Sequence, residues 1–208
     1  MPTLAQLRDK FNKATSKINR NGIDSLINWL EKDTNFFTSA ASTRFHGNYE
    51  GGLVEHSLHV LEFALTNLNW ALKYKPELEE LKESVIICSL FHDVCKVNQY
   101  TWGEEKWTKN DNTGKWMSYK TYSFHDDLPM GHGEKSIYYI TKHMELTKPE
   151  ILAIRWHMGS TEQGTQFDGL TKYAYQASWD YPLVKLIHVA DQASTIIGDT
   201  IDYKSRAQ

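Results

Sequence analysis

The run Val85-Ile86-Ile87-Cys88-Ser89-Leu90-Phe91 is apolar on every side of a helix, and it ends in the doublet His92-Asp93. Such a helix folds only where a core surrounds it, so the chain must be built around this segment. Burying an imidazole beside a carboxylate is costly unless both are satisfied. A hydrogen bond between the two meets that need, and so does a shared metal cation. Alone, the doublet leaves both solutions open, and the hydrogen-bonded pair is the commoner.

The rest of the chain supplies helices to pack around it. Leu4, Leu7, Phe11, Ala14 and Ile18 recur at helical spacing, as do Ile23, Leu26, Ile27 and Leu30. These two helices are expected to form an N-terminal cap over residues 1–34, ahead of a single globular unit at 35–208. Leu58, Leu61, Leu65, Leu68 and Leu72 predict a helix over 53–74, and the apolar run predicts another over 77–94. Thr147-Lys148-Pro149-Glu150 is a helix start, with Thr as N-cap, Pro in the first turn and Glu at the third position. Leu183, Leu186, Ile187, Ala190, Ala193 and Ile197 predict a last helix, and Ser160 to Leu170 reads as a loop. Between Gln99 and Tyr119 the pattern changes. Aromatic and β-branched residues alternate with polar ones around Gly103-Glu104-Glu105 and Asp111-Asn112-Thr113-Gly114, which predicts a small hairpin or meander. The expected fold class is all-α, a helical bundle with a β-hairpin insertion.

At 208 residues the chain can bury one good core. Its net charge of -3 gives no basic footprint for sequence-specific binding of long DNA. Single nucleotides and short strands stay open. No stretch approaches the roughly 20 apolar residues of a membrane span, and the first residues lack a signal peptide's apolar run. A cytoplasmic location without membrane association is the expectation. Cys88 and Cys95, not spaced as CxxC, read as reduced core thiols.

Ligand-type residues recur at the ends of the expected helices. His56 opens one, His92 and Asp93 close one, His132 opens one and His157 closes one, while Asp191 lies on the apolar face of the last. Side chains at the ends of helices that pack together can converge, and His and Asp are common ligands for Zn, Mn, Fe, Co and Ni. The order His, His-Asp, His, His, Asp resembles the HD-domain superfamily of metal-dependent phosphohydrolases over roughly residues 37–197. Leu90 to Lys96 is similar to that superfamily's HDxxxK-like centre. Gly131-His132-Gly133-Glu134 and Ile154 to Gly159 resemble the two extra histidine segments of dinuclear members, and Leu186 to Asp191 the closing aspartate segment. Phe45 to Val60 resembles the start of the HD domain in bacterial 3′–5′ exoribonucleases of the YhaM type. Those enzymes carry an OB-type domain ahead of it; only roughly 35 residues of expected helix stand there here, so processive RNA degradation is not implied.

The resemblance implies a helical bundle and a divalent transition metal centre, with two ions of Mn, Fe, Co, Ni or Zn. His56, His92, Asp93 and Asp191 would hold one, with Asp93 bridging to a second held by His132 and His157. It implies hydrolysis of a phosphate ester or anhydride in a nucleotide or short oligonucleotide by a metal-activated water, with Asp93 and Lys96 as catalytic residues. Lys96 could contact phosphate or hydrogen-bond Asp93, or be a solvated helix-end lysine. His46 and Arg155 are candidate substrate contacts, each with a plain surface role as the alternative. His188 and His59 read as support for ligands. Trp102, Trp107 and Trp116 could stack on bases, though packing the hairpin onto the helices is the commoner use. Two further readings use the same residues: a mixed-valent di-iron oxygenase of HD type, and a regulatory module that keeps its metal for structure.

Overall fold

The computed structural model describes residues 2–43, 46–110, 113–159 and 171–198. In chain order these form α1 (Leu4–Thr15), α2 (Ile23–Lys32), α3 (Gly52–Ala71), α4 (Lys82–Phe91), β1 (Tyr100–Lys109), β2 (Trp116–Phe124), α5 (His132–Thr141), α6 (Lys148–Arg155), α7 (Thr171–Asp180) and α8 (Pro182–Gly198). The all-α expectation with one β-hairpin holds. The loop expected over 160–170 lies outside the described residues.

Helix α4 is the centre of the bundle. Val85, Ile87, Cys88, Leu90 and Phe91 are fully buried, and α3, α6 and α8 pack around the helix. Phe91 meets Phe11 edge-on at 6.1 Å between ring centres, and Phe11 meets Phe36 and Phe37 at 5.4 and 5.1 Å. Offset and edge-to-face rings are the favoured geometry for such contacts. Through them, the first helix joins the same hydrophobic core as α3 to α8. Capping boxes begin two helices: Thr3 with Gln6 at α1, and Thr147 with Glu150 at α6 as the sequence predicts.

Two elements depart from the sequence-based expectation. The helix expected over 77–94 is a 3-10 turn at Pro76–Leu81, then α4, then a second 3-10 turn at Val94–Lys96. The reason is geometric. Successive residues on a continuous α-helix point about 100° apart, so His92 and Asp93 could not face one point. His92 caps the helix and Asp93 leaves it, at φ -106 and ψ 15. The turn expected at Gly103-Glu104-Glu105 is a β-bulge inside the ten-residue strand β1. Strands β1 and β2 pair antiparallel from Tyr100↔Phe124 to Lys109↔Trp116, with the register shift between Trp102 and Glu104. Helix α7 was not expected at all. Its buried contacts are Ala174 and Ala177, while Tyr173, Tyr175 and Trp179 face outward, so it shows no conventional apolar stripe. Among the described residues, no helix is long and apolar enough to cross a membrane.

Candidate metal centre

Two helices end in the same device. The last carbonyls of an α-helix lack partners within it. In α4 the carbonyl of Ser89 accepts from His92 Nδ1 at 2.9 Å, and in α6 the carbonyl of Ile154 accepts from His157 Nδ1 at 2.7 Å. A carbonyl only accepts, so each Nδ1 carries the proton and each Nε2 presents a lone pair. His56 on α3 is fixed likewise. Ser194 Oγ donates to the Asp191 carbonyl at 2.7 Å and so accepts from His56 Nδ1 at 3.2 Å.

The three lone pairs converge. His56 Nε2 lies 3.2 Å from His92 Nε2, and 3.2 Å from Asp191 Oδ1 and 3.5 Å from Asp93 Oδ2. His92 Nε2 lies 3.6 Å from Asp93 Oδ2 and 3.7 Å from Asp191 Oδ1. His157 Nε2 lies 3.5 Å from the other oxygen of Asp93, Oδ1. All five side chains are buried, and neither Asp93 Oδ1 nor His157 Nε2 has a hydrogen-bond partner. Lone pairs facing lone pairs and carboxylates in a dry site repel unless positive charge lies between them. Donors sharing one cation at about 2.0–2.2 Å stand about 3–3.6 Å apart, which matches these separations. The donor set fits a divalent metal.

Electrostatics agrees. Burial opposes charge on Asp93, yet Lys96, His92 and His157 outweigh it and hold the carboxyl well below its usual range. Asp191 is held low in the same way, by His56 and His92 against burial. Burial pushes His56 below its ordinary value, which keeps Nε2 available as a donor. His157 runs the other way: Asp93 outweighs the opposing burial and raises it, so with no metal cation beside it this imidazole takes a proton more readily than His56.

Asp93 belongs to two donor groups. One is His56, His92 and Asp93; the other is Asp93, Cys95 and His132, each with donor atoms within 4.8 Å of one another. Cys95 is the residue that sequence reasoning left in the core. Burial and the neighbouring Asp93 push its thiol up to about 12 with no metal cation beside it, so only a bound metal would draw off its proton. Lys96, almost wholly buried, sets Nζ 2.6 Å from Asp93 Oδ2. It is not a solvated helix-end lysine.

His46 sits over the histidine pair, its ring centre 4.8 Å from that of His56 and its Nε2 buried without a hydrogen-bond partner. Burial, then the neighbouring His56 and Lys96, push it down to about 4. The loop reaches this position because glycines allow backbone to lie on backbone: a Cβ at Gly52 would stand 2.0 Å from the Gly47 oxygen. Arg155 is placed differently, with Nε 2.5 Å from Glu134 Oε1 and its guanidinium 4.1 Å from the Trp156 ring centre. His188 supports the centre from behind, Nδ1 donating to the His157 carbonyl at 2.6 Å. His59 belongs to neither donor group. His125 is exposed and pairs with Asp127, and His143 stacks on Trp29. Sequence reasoning missed Ser194; its signal was its place three residues after Asp191 on the same helix face.

The family model described as HD domain matches residues 53–196, well over half of the chain. HD domains bind divalent metals and are in general hydrolases. No curated protein and no solved structure matches the chain. The narrower likeness of residues 45–60 to exoribonucleases of the YhaM type finds no support.

Proposed function

Because this chain belongs to the HD-domain family, we propose that it is a metal-dependent phosphohydrolase cleaving a phosphate ester or anhydride of a nucleotide or short oligonucleotide. The observation that carries this reading is the division of Asp93, one oxygen toward His56 and His92 and the other toward His157. A carboxylate so divided is suited to bridge two cations. In this reading His56, His92, Asp93 and Asp191 hold one, and His132 and His157 help Asp93 hold the second.

A divalent cation in such a site supplies Lewis acidity, lowering the pKa of water and neutralising charge on phosphoryl oxygens. The protein's own residues do the rest. The carbonyls of Ser89 and Ile154 and the hydroxyl of Ser194 fix the imidazoles in the donor tautomer before any ligand arrives. Lys96 keeps Asp93 ionised and adds a positive charge beside the phosphoryl position. His46, neutral at pH 7, presents an imidazole face and an unpartnered Nε2 to the same space. In this reading His46 touches substrate, while Arg155 is held by Glu134 at the contact between α5 and α6.

Elemental analysis coupled to a screen of nucleoside phosphates, cyclic dinucleotides and oligonucleotides tests the reading. The expected result is bound transition metal with phosphate or nucleotide release, both abolished by Asp93→Ala. A metal-loaded protein that releases nothing from the whole panel, or turnover that requires iron and O2, overturns it.

A further inference from the structure

The hairpin insertion carries its own surface. Opposed residues in an antiparallel pair share a face, and residues two apart along a strand share it too. Trp107 faces Ser118 and Trp116 faces Lys109, so both rings and Lys109 lie on one side. Trp102 is five residues from Trp107, and in a regular strand an odd separation would place it on the opposite side. The bulge between Trp102 and Glu104 reverses that parity. Trp102 pairs with Tyr122, and Tyr122, Lys120, Ser118 and Trp116 alternate along one side of β2. All three tryptophans therefore share one face, 53%, 63% and 66% exposed. The bulge wastes the packing use of these rings; they are not buried against the helices.

Two lysines, and one glutamate, Glu105 across from Lys120, are interleaved with the rings. Lys106 is paired with Glu104 on the opposite face, at 3.3 Å. Lys109 and Lys120 are on the tryptophan face and, among the described residues, neither is in an ion pair. At its root the face becomes the wall of a cleft of about 920 Å³, lined by Tyr100, Trp102, Lys120 and Tyr122 against Asn48 and Glu50 of the glycine-rich loop. That loop carries His46 to the histidine cluster, and β1 begins four residues after Lys96. Tyr100 feels the charges of both Lys96 and Asp93. Two short stretches of chain therefore join the lining of the cleft to the residues of the metal centre.

We infer that the cleft and the tryptophan face of the hairpin form a stacking platform for a single-stranded oligonucleotide whose terminal phosphodiester reaches the metal centre. Aromatic rings exposed in register with unpaired cations suit a strand of bases joined by phosphates, since every base has a face to stack and every link a negative charge. A mononucleotide would fill the cleft and leave Trp107 and Trp116 unused. The inference rests on the phosphohydrolase reading for its direction, but its binding surface stands apart from the metal site.

The test is fluorescence anisotropy on the full chain, stripped of metal so that nothing is cut, with fluorescein-labelled decamers of uridylate and thymidylate. Binding is expected to weaken with salt and to be poorly competed by uridine monophosphate. Trp107→Ala with Trp116→Ala should weaken it at least tenfold, or about 1.4 kcal/mol, with the melting midpoint held. The corresponding Phe pair should recover most of the affinity, and Lys109→Glu with Lys120→Glu should weaken it and flatten the salt dependence. Decamers bound in this way but not hydrolysed after metal loading would retain the platform and discard the hydrolase reading. Turnover of mononucleotides with no decamer binding, or decamer binding indifferent to both tryptophans, overturns the platform. So does a self-associating chain that becomes monomeric in the Trp107→Ala, Trp116→Ala variant.

Discussion

Replacing Arg20 with Ala is expected to cost the folded state about 3 kcal/mol at pH 7. The guanidinium forks onto Glu150, Nη1 3.1 Å from Oε2 and Nη2 3.0 Å from Oε1, and Nη2 also reaches Glu83 at 3.0 Å. The Glu150 side chain is 0% exposed, so without Arg20 its charge is buried and uncompensated. Breaking one side of a buried pair costs about 3–5 kcal/mol. Two donors survive the change, Ser84 Oγ and the Thr147 N–H, each at 2.7 Å, and Arg20 itself is partly exposed. Both facts place this pair at the lower end. For 208 residues that loss lowers Tm by about 7 °C. The effect depends on pH, and its sign follows from Glu150. Burial pushes its carboxyl up, but Arg20, the Thr147 N–H and Ser84 together hold it below its ordinary 4.5. A depressed carboxyl contributes stability that is present above the unfolded value and lost as pH falls through the folded one. In Arg20→Ala burial wins, the carboxyl rises and Glu150 takes up a proton on acidification. The difference between the two proteins is therefore widest near neutrality and narrows toward about pH 4. Urea denaturation at both pH values measures it, with Arg20→Ala, Glu150→Gln expected to regain much of the loss at pH 7. A difference equal at the two pH values, or a double variant no better than the single, would refute the reasoning. The same ion pair anchors the start of α6, whose other end presents His157.

Further outcomes follow from the centre. In Gly133→Ala the new Cβ would stand 2.5 Å from Arg155 Cα and 2.6 Å from its carbonyl oxygen. The α5–α6 contact must open at a cost of about 1–3 kcal/mol, and His132 moves with it; a melting curve and metal content should both fall, and unchanged metal content would contradict the placement. Lys96→Gln removes the amine that sits 2.6 Å from Asp93 Oδ2 and should lower metal affinity or turnover about 10–100-fold; full activity would remove Lys96 from the site. Metal loading should be lost in two steps on acidification. Asp93 raises His157, so that imidazole takes its proton at higher pH than His56, which burial lowers. Equilibrium dialysis across pH reads this, and a single step would argue against two differently held ions.

Much of the site could be read from residue order alone. The helix-end positions of His92 and His157 were visible in the apolar periods that stop at them, and the Thr147–Glu150 capping box was visible as a local pattern. The hairpin was visible too, but not its length, because Gly103-Glu104-Glu105 has a turn's composition. Whether a glycine turns a chain or bulges a strand depends on the partner strand, here on Trp102 pairing with Tyr122. Helix α7 escaped notice because alanines make a thin stripe, sufficient only when another helix lies close.

By itself the sequence determined that a buried helix ends in His92-Asp93, that further ligand-type residues lie at other helix ends, and that an aromatic β excursion interrupts the bundle. These are matters of period, composition and order, which local chain chemistry imposes. Only the tertiary structure decided that the imidazoles aim their Nε2 atoms at one another, since that depends on helix-end carbonyls and on Ser194, 138 residues from His56. Only it divided the two oxygens of Asp93, buried Lys96 against one of them and brought the tryptophans to one face. Directions of side chains and burial of charge are set by what packs opposite, and no local pattern carries that information.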